Sequence, residues 1–123
     1  LDNHSGKLGE QYVADELEKR GCRILCRNYR SRFGEIDIIA QNGSFLIFVE
    51  VKTRGKRCVG VPQEAVSASK QRKIISTALQ FLSQNETYLQ PRFDVAVVRT
   101  AGEGAAFSLE YIENAFEAQG RFA

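Results

Sequence analysis

The sequence predicts an α/β fold: a mixed β-sheet flanked by helices, with its elements in the order α-β-β-β-α-β-β. Three observations lead there. Apolar residues recur at helical spacing ahead of Gly21, an Asn42-Gly43 pair separates two runs rich in β-branched residues, and a second helical stripe links the latter run to another apolar strand. A chain of 123 residues suits a single domain, residues 1–123, with a modest core.

Taken in order, the first helix is expected from Ser5 or Lys7 to Arg20, with Ser5 as N-cap and Gly21 closing the C-terminus. Val13, Ala14 and Leu17 form its buried stripe. Glu10 falls on the same stripe, where a carboxylate needs a partner. Strands follow over Arg23–Tyr29, Gly34–Ala40 and Ser44–Thr53, the last two joined by the Asn-Gly hairpin signal. A basic loop runs from Arg54 to Val61, and Pro62 is placed to open a short helical turn through Val66. Ser67 or Ser69 caps a longer helix to about Leu82, whose core stripe is Ile74, Ile75, Ala78, Leu79 and Leu82. Phe93–Arg99 reads as a buried strand, parallel to the third because a helical crossover leads to it. Gly102 and Gly104 turn the chain into a last strand, Ala106–Ile112, followed by a short amphipathic tail with Ala115 and Phe116.

Composition narrows the function classes. No apolar run reaches the roughly 20 residues of a membrane span, so no membrane partner is expected. Cys22, Cys26 and Cys58 are odd in number and lack CxxC spacing, which argues against a disulfide framework and for a reduced, cytoplasmic setting. His4 is the only histidine, so a Cys/His metal site is not expected, and the lack of any Met leads to the expectation that the native start is missing or trimmed. The net charge of +2 is uninformative, but its distribution is not. Residues 1–84 hold 14 basic and 9 acidic side chains, whereas 85–123 hold 3 basic and 6 acidic. The excess gathers in Lys19–Arg32 and Val51–Lys73, clusters that suit a polyanion, although a solvated basic face would carry the same charges.

Strand parity points to a site. If Asn42-Gly43 is a two-residue loop, Gln41 pairs with Ser44, Asp37 lies opposite Phe48, and Glu35 lies opposite Glu50. Residues two apart share a face, so Glu35, Asp37, Glu50 and Lys52 project together, while Ile36, Ile38, Ala40, Phe45, Ile47, Val49 and Val51 make an apolar face behind them. Carboxylates placed together repel, and a hard divalent cation such as Mg²⁺ relieves that repulsion through oxygen ligands. Lys52 puts an ammonium at the edge of the group, where it can orient water or meet negative charge. Such a set describes metal-assisted phosphodiester hydrolysis. A structural ion-pair cluster would use the same residue types, and Glu10, a further acid aimed at the sheet, favours the metal reading.

Asp37 followed by Glu50-Val51-Lys52 resembles the PD-(D/E)XK signature of restriction-endonuclease-like nucleases. Glu10 is similar to the extra acid of the archaeal Holliday-junction-resolvase branch. Gly9-Glu10, Arg27-Asn28-Tyr29-Arg30, Gly34-Glu35-Ile36-Asp37-Ile38-Ile39-Ala40, Phe48-Val49-Glu50-Val51-Lys52-Thr53-Arg54, Pro62-Gln63-Glu64-Ala65-Val66, Lys70 and Arg92-Phe93-Asp94-Val95 occur in that order. Together they resemble the YraN-type family of small bacterial proteins, functionally uncharacterised and assigned to that nuclease superfamily by its motifs. The resemblance implies a restriction-endonuclease-like fold and a DNA endonuclease using Mg²⁺ or Mn²⁺, acting on branched or damaged DNA. It implies Asp37 and Glu50 as metal ligands with the Val51 carbonyl, Lys52 as catalytic lysine and Glu10 as accessory acid. Ile36 stands where the superfamily's proline often precedes the Asp.

Glu35 is left with two roles, tuning the metal or meeting an arginine, and Asp94 is expected to pair with an arginine. Arg30, Arg32, Arg54, Lys56, Arg57, Lys70, Arg72 and Lys73 are the expected phosphate contacts. A homodimer is compatible with the resemblance. A non-catalytic DNA-binding module, or a subunit of a DNA-processing assembly, is the alternative that the same fold allows.

Overall fold

The computed structural model describes residues 4–55, 66–100 and 107–118. Helix α1, His4–Lys19, begins one residue ahead of Ser5, which therefore lies inside the helix instead of capping it. Its C-terminus closes as expected: Gly21 takes φ +92°, its N–H donates to the Glu18 carbonyl at 3.0 Å, and the Cys22 N–H reaches back to Leu17 O at 2.9 Å. Those bonds satisfy carbonyls that the helix end leaves open, and Cys22 packs in the same cluster as Leu17. The second helix, α2, spans Ala68–Gln84, and Ser67 is its cap, accepting the Lys70 N–H at 3.1 Å. The turn expected at Pro62 and the glycine turn at Gly102 and Gly104 lie outside the described residues, as do Lys56, Arg57 and Cys58.

The strands are β1 Arg23–Arg30, β2 Glu35–Asn42, β3 Phe45–Gly55, β4 Gln90–Thr100 and β5 Phe107–Phe116. They form one mixed sheet in the order β1-β2-β3-β4-β5, with β3 and β4 parallel and the other neighbours antiparallel. The element order matches the α-β-β-β-α-β-β expectation. The parallel pair follows from the α2 crossover, since a hairpin cannot join parallel neighbours. β5 runs on through Ala115 and Phe116, residues expected in an amphipathic tail. A bulge opposite Asp94, with Asn114 at φ 51°, carries the strand past the point where alternation breaks.

Each face of the sheet is covered by a helix. Val13, Ala14 and Leu17 of α1 pack on Ile38, Ala40, Ile47, Val49, Ala96 and Val98. Ile74, Ile75 and Ala78 of α2 pack on Ile39, Leu46, Phe48, Phe93, Val95 and Val97. Burial on both faces explains the apolar runs of the central strands, Phe45–Val49 in β3 and Val95–Val98 in β4. Among the described residues no helix is long and apolar enough to cross a membrane.

Two details of the predicted register change. Asn42 pairs with Phe45 and Ile39 with Phe48, so the loop is Gly43-Ser44 and not Asn42-Gly43. Gly43 alone takes the left-handed φ of 59°, as a hairpin with Gly at its first central position requires, and Asn42 stays in the strand. The slip is two residues, so facing is preserved, but Glu35 no longer stands opposite Glu50 and Asp37 no longer opposite Phe48. The second change is deeper. Ile36 packs on the α2 side while Ile38 and Ala40 pack on the α1 side, so alternation breaks at Asp37. Across the ladder, Asn28 sits at φ 53°, and it too divides residues that reach α1 (Arg27) from residues that reach α2 (Tyr29).

Candidate active site

The break in alternation makes the site. The β2–β3 ladder closes with Ile38 opposite Val49, and beyond it the two strands part. Where a continuing β2 backbone would have accepted the Val51 N–H, the Asp37 side chain does so instead, through Oδ2 at 2.8 Å. This holds the Asp37 carboxylate in the notch between the strands, next to Glu50. Glu50 is 5% exposed, and its Oε2 lies 3.3 Å from Lys52 Nζ and 3.7 Å from Lys70 Nζ. Lys52 comes from the same strand, two residues on, and Lys70 from the first turn of α2.

Burial and then the Glu50 carboxylate push Asp37 up to about 8; the Val51 hydrogen bond acts the other way, and Glu10 adds a smaller push in the same direction. Two acids within hydrogen-bonding reach of each other cannot both ionise freely in a half-dry notch. Burial and the neighbouring Glu50 charge thus favour a proton on Asp37, whose place a cation can take.

Glu10 approaches from α1. Gly9 allows that approach: a Cβ there would meet Thr53 Oγ1 of β3 at 2.7 Å, so only glycine lets the helix lie this close. Glu10 Oε1 accepts from Asn28 Nδ2 at 2.9 Å, and Arg27 stands 3.9 Å away. The left-handed Asn28 therefore does two things: it breaks the strand and holds the accessory acid. Asn28 lies in the Arg27-Asn28-Tyr29-Arg30 motif, and its role comes only with the fold. An Asn inside an alternating run was the available signal, because Asn tolerates that conformation better than most residues.

Glu35 leaves the group. Its Oε2 accepts from Arg30 Nε at 3.0 Å, the arginine contact expected as one of its two roles. Among the described residues no group of three or more His, Cys, Asp and Glu side chains is placed to hold a metal ion. What the fold assembles is a pair, Asp37 and Glu50, with Glu10 behind it. Lys70, expected as a phosphate contact, touches Glu50. Arg72 and Lys73 are exposed on α2, Arg32 is exposed at the β1–β2 turn, and Arg54 lies half-buried at the end of β3. Asp94 meets an arginine as expected, Arg92, in a cluster away from the notch.

Comparison with known proteins places these residues in a wider set. Residues 9–98 match the family model described as Uncharacterised protein family UPF0102. A UPF0102 protein of Syntrophotalea carbinolica is 46% identical over 116 residues, covering 94% of this chain and 93% of the relative. A UPF0102 protein of Syntrophus aciditrophicus is 48% identical over 115 residues, covering 92% and 88% respectively. One from Symbiobacterium thermophilum is 46% identical over 119 residues, covering 96% of this chain and all of the relative (100%).

Proposed function

The chain belongs to the uncharacterised protein family UPF0102, and on that premise we propose that it is a divalent-metal-dependent DNA endonuclease of PD-(D/E)XK type, acting on branched or damaged DNA. The observation that carries this reading is the Asp37–Glu50 pair, two acids held side by side in a notch, with Asp37 raised in proton affinity by burial and by the Glu50 charge. Two oxygen donors in a notch suit Mg²⁺ or Mn²⁺, which binds through few carboxylates and keeps several waters. Asp37 and Glu50 would hold the ion, with the Val51 carbonyl as a main-chain ligand. When bound, the ion supplies Lewis-acid stabilisation of charge at the phosphoryl group and the leaving oxygen.

The chain's own groups do the rest. Lys52, anchored on Glu50, directs an N–H toward an attacking water and offers positive charge to the phosphate. Lys70 meets the same Glu50 oxygen as Lys52, Oε2, and so helps fix the carboxylate's orientation. Glu10, oriented by Asn28, supplies an acceptor for water on the α1 side. Arg30, Arg32, Arg54, Arg72 and Lys73 would meet a strand's flanking phosphates, and Lys56 and Arg57, expected to join them, lie outside the described residues.

The test is cleavage of a panel of linear duplex, single strand, four-way junction and RNA, with Mg²⁺ or Mn²⁺. The expected result is metal-dependent cleavage of a DNA member, lowered by about 10²-fold or more in Lys52→Ala. No cleavage of any member with either ion, alongside salt-sensitive DNA binding that survives Glu50→Ala, would leave a binding module instead.

A further inference from the structure

The β1–β2 turn, Ser31 to Gly34, does not belong to the catalytic pair, yet it is built with care. The Ser31 N–H donates to Gly34 O at 2.8 Å, the Phe33 N–H donates to Ser31 Oγ at 3.0 Å, and Ser31 Oγ bonds Thr77 Oγ1 at 2.8 Å. Thr77 is fully buried in α2 and is itself tied to Lys73 O at 2.8 Å. Gly34 packs so closely on the helix that an added Cβ would stand 3.4 Å from the Lys73 Cβ. This fastened turn presents an aromatic ring to solvent: Phe33 is 42% exposed. The Arg32 guanidinium lies over that ring, 4.9 Å from its centroid.

A lone exposed phenylalanine needs no explanation by itself. This one differs from Phe45, whose partner Arg92 is bound on its other side by Asp94. Among the described residues, neither Arg32 nor Arg72 nor Lys73 pairs with a carboxylate. The patch is thus an exposed ring on a hydrogen-bonded turn, with the Arg32 guanidinium over it and Lys73 at the turn, neither paired with a carboxylate among the described residues. It also adjoins the notch: Lys73 touches the turn, and Lys70, one helical turn earlier, touches Glu50. The two lysines are separated by only roughly 4.5 Å of helix rise.

An exposed ring with cations beside it is what an unpaired base needs, since the face stacks on carbon while the backbone phosphates meet the charges. A paired duplex buries its base faces and has no use for the ring. We propose that Phe33, with Arg32, is a stacking platform for an unpaired base of a DNA strand whose neighbouring phosphate enters the Asp37–Glu50 notch. The substrate class is then DNA with a single-stranded or displaced nucleotide next to the scissile bond. This rests on the nuclease reading for what happens in the notch, but stacking itself requires no turnover.

The two are separated by measuring binding in EDTA. A DNA oligonucleotide carrying 2-aminopurine in a single-stranded gap is compared with the same sequence fully paired, for wild type, Phe33→Ala and Phe33→Tyr. Expected are quenching on binding by the wild type, roughly tenfold weaker binding of the gapped DNA by Phe33→Ala with less than twofold change on the duplex, and recovery in Phe33→Tyr. Equal loss on both DNAs, no loss in Phe33→Ala, or no quenching in the wild type would overturn the platform. If the platform result holds while the panel is not cleaved, the nuclease reading alone fails. If cleavage holds while Phe33→Ala binds gapped DNA like wild type, the platform alone fails.

Discussion

Asp94 and Glu50 stand one register step apart on neighbouring strands, Asp94 level with Val49 and Glu50 level with Val95, and they face opposite sides of the sheet. Both are buried acids, and their surroundings differ in kind. Asp94 is saturated. It accepts from Arg92 Nε and Nη2 at 2.9 Å each, from the Tyr111 hydroxyl at 2.6 Å and from the Asn114 N–H at 2.9 Å. Burial and the Asp94 charge push the Tyr111 hydroxyl far up, so it stays a proton donor, and the Asp94 hydrogen bonds hold Arg92 charged. Glu50 has two ammonium groups at its edge and a second acid as its inner neighbour. One cluster closes on itself and locks β5 to β4. In the other, burial and the Glu50 charge push up the proton affinity of Asp37, which is the condition of a site and not of a staple.

That contrast predicts unequal responses to substitution. Asp94→Ala strands a largely buried guanidinium and should cost about 3–5 kcal/mol in urea unfolding. Tyr111→Phe removes one charge-assisted hydrogen bond and should cost about 2 kcal/mol. Asp37→Asn should go the other way. The folded chain keeps a proton on Asp37 that the unfolded chain releases above its ordinary value of 3.8, so this group lowers stability as pH rises from about 4 to about 8. Unfolding at pH 5 and pH 8 should therefore show a smaller loss for Asp37→Asn than for wild type, by about 1 kcal/mol or more, since Asp37 is largely buried. A Tyr111→Phe cost below that for any substitution in the notch, or a steeper pH slope for Asp37→Asn, would erase the distinction between the clusters.

Much of this was legible in the sequence, for physical reasons that differ by residue. The helices and the parallel β3–β4 pair follow from stripes and caps such as Ser67 and Gly21, whose chemistry is local. Glu50 and Lys52 share a face because a strand's period of two survives a register error of two. The error itself came from giving the left-handed turn position to Asn42-Gly43, when Gly43-Ser44 satisfies it with glycine alone. Asp37 joined the site for a reason that periodicity cannot express: alternation fails there, and its carboxylate replaces a backbone acceptor. Glu35 was grouped with it by the same unbroken alternation and is instead held by Arg30. Arg92 and Asp94, two apart on a strand, were a readable pair, whereas Tyr111 and Asn114 depend on the β5 bulge, which only tertiary pairing sets.

The most direct test of the open cluster is a titration of Mg²⁺ and Mn²⁺ followed by thermal unfolding. A ligand of the folded state raises stability by RT ln(1 + [L]/Kd), about 2.7 kcal/mol at a hundredfold excess over Kd. A metal held by Asp37 and Glu50 gives a concentration-dependent rise for the wild type and for Tyr111→Phe, and none for Asp37→Asn or Glu50→Gln. No rise with either ion in the wild type, or an undiminished rise in Asp37→Asn, would contradict it.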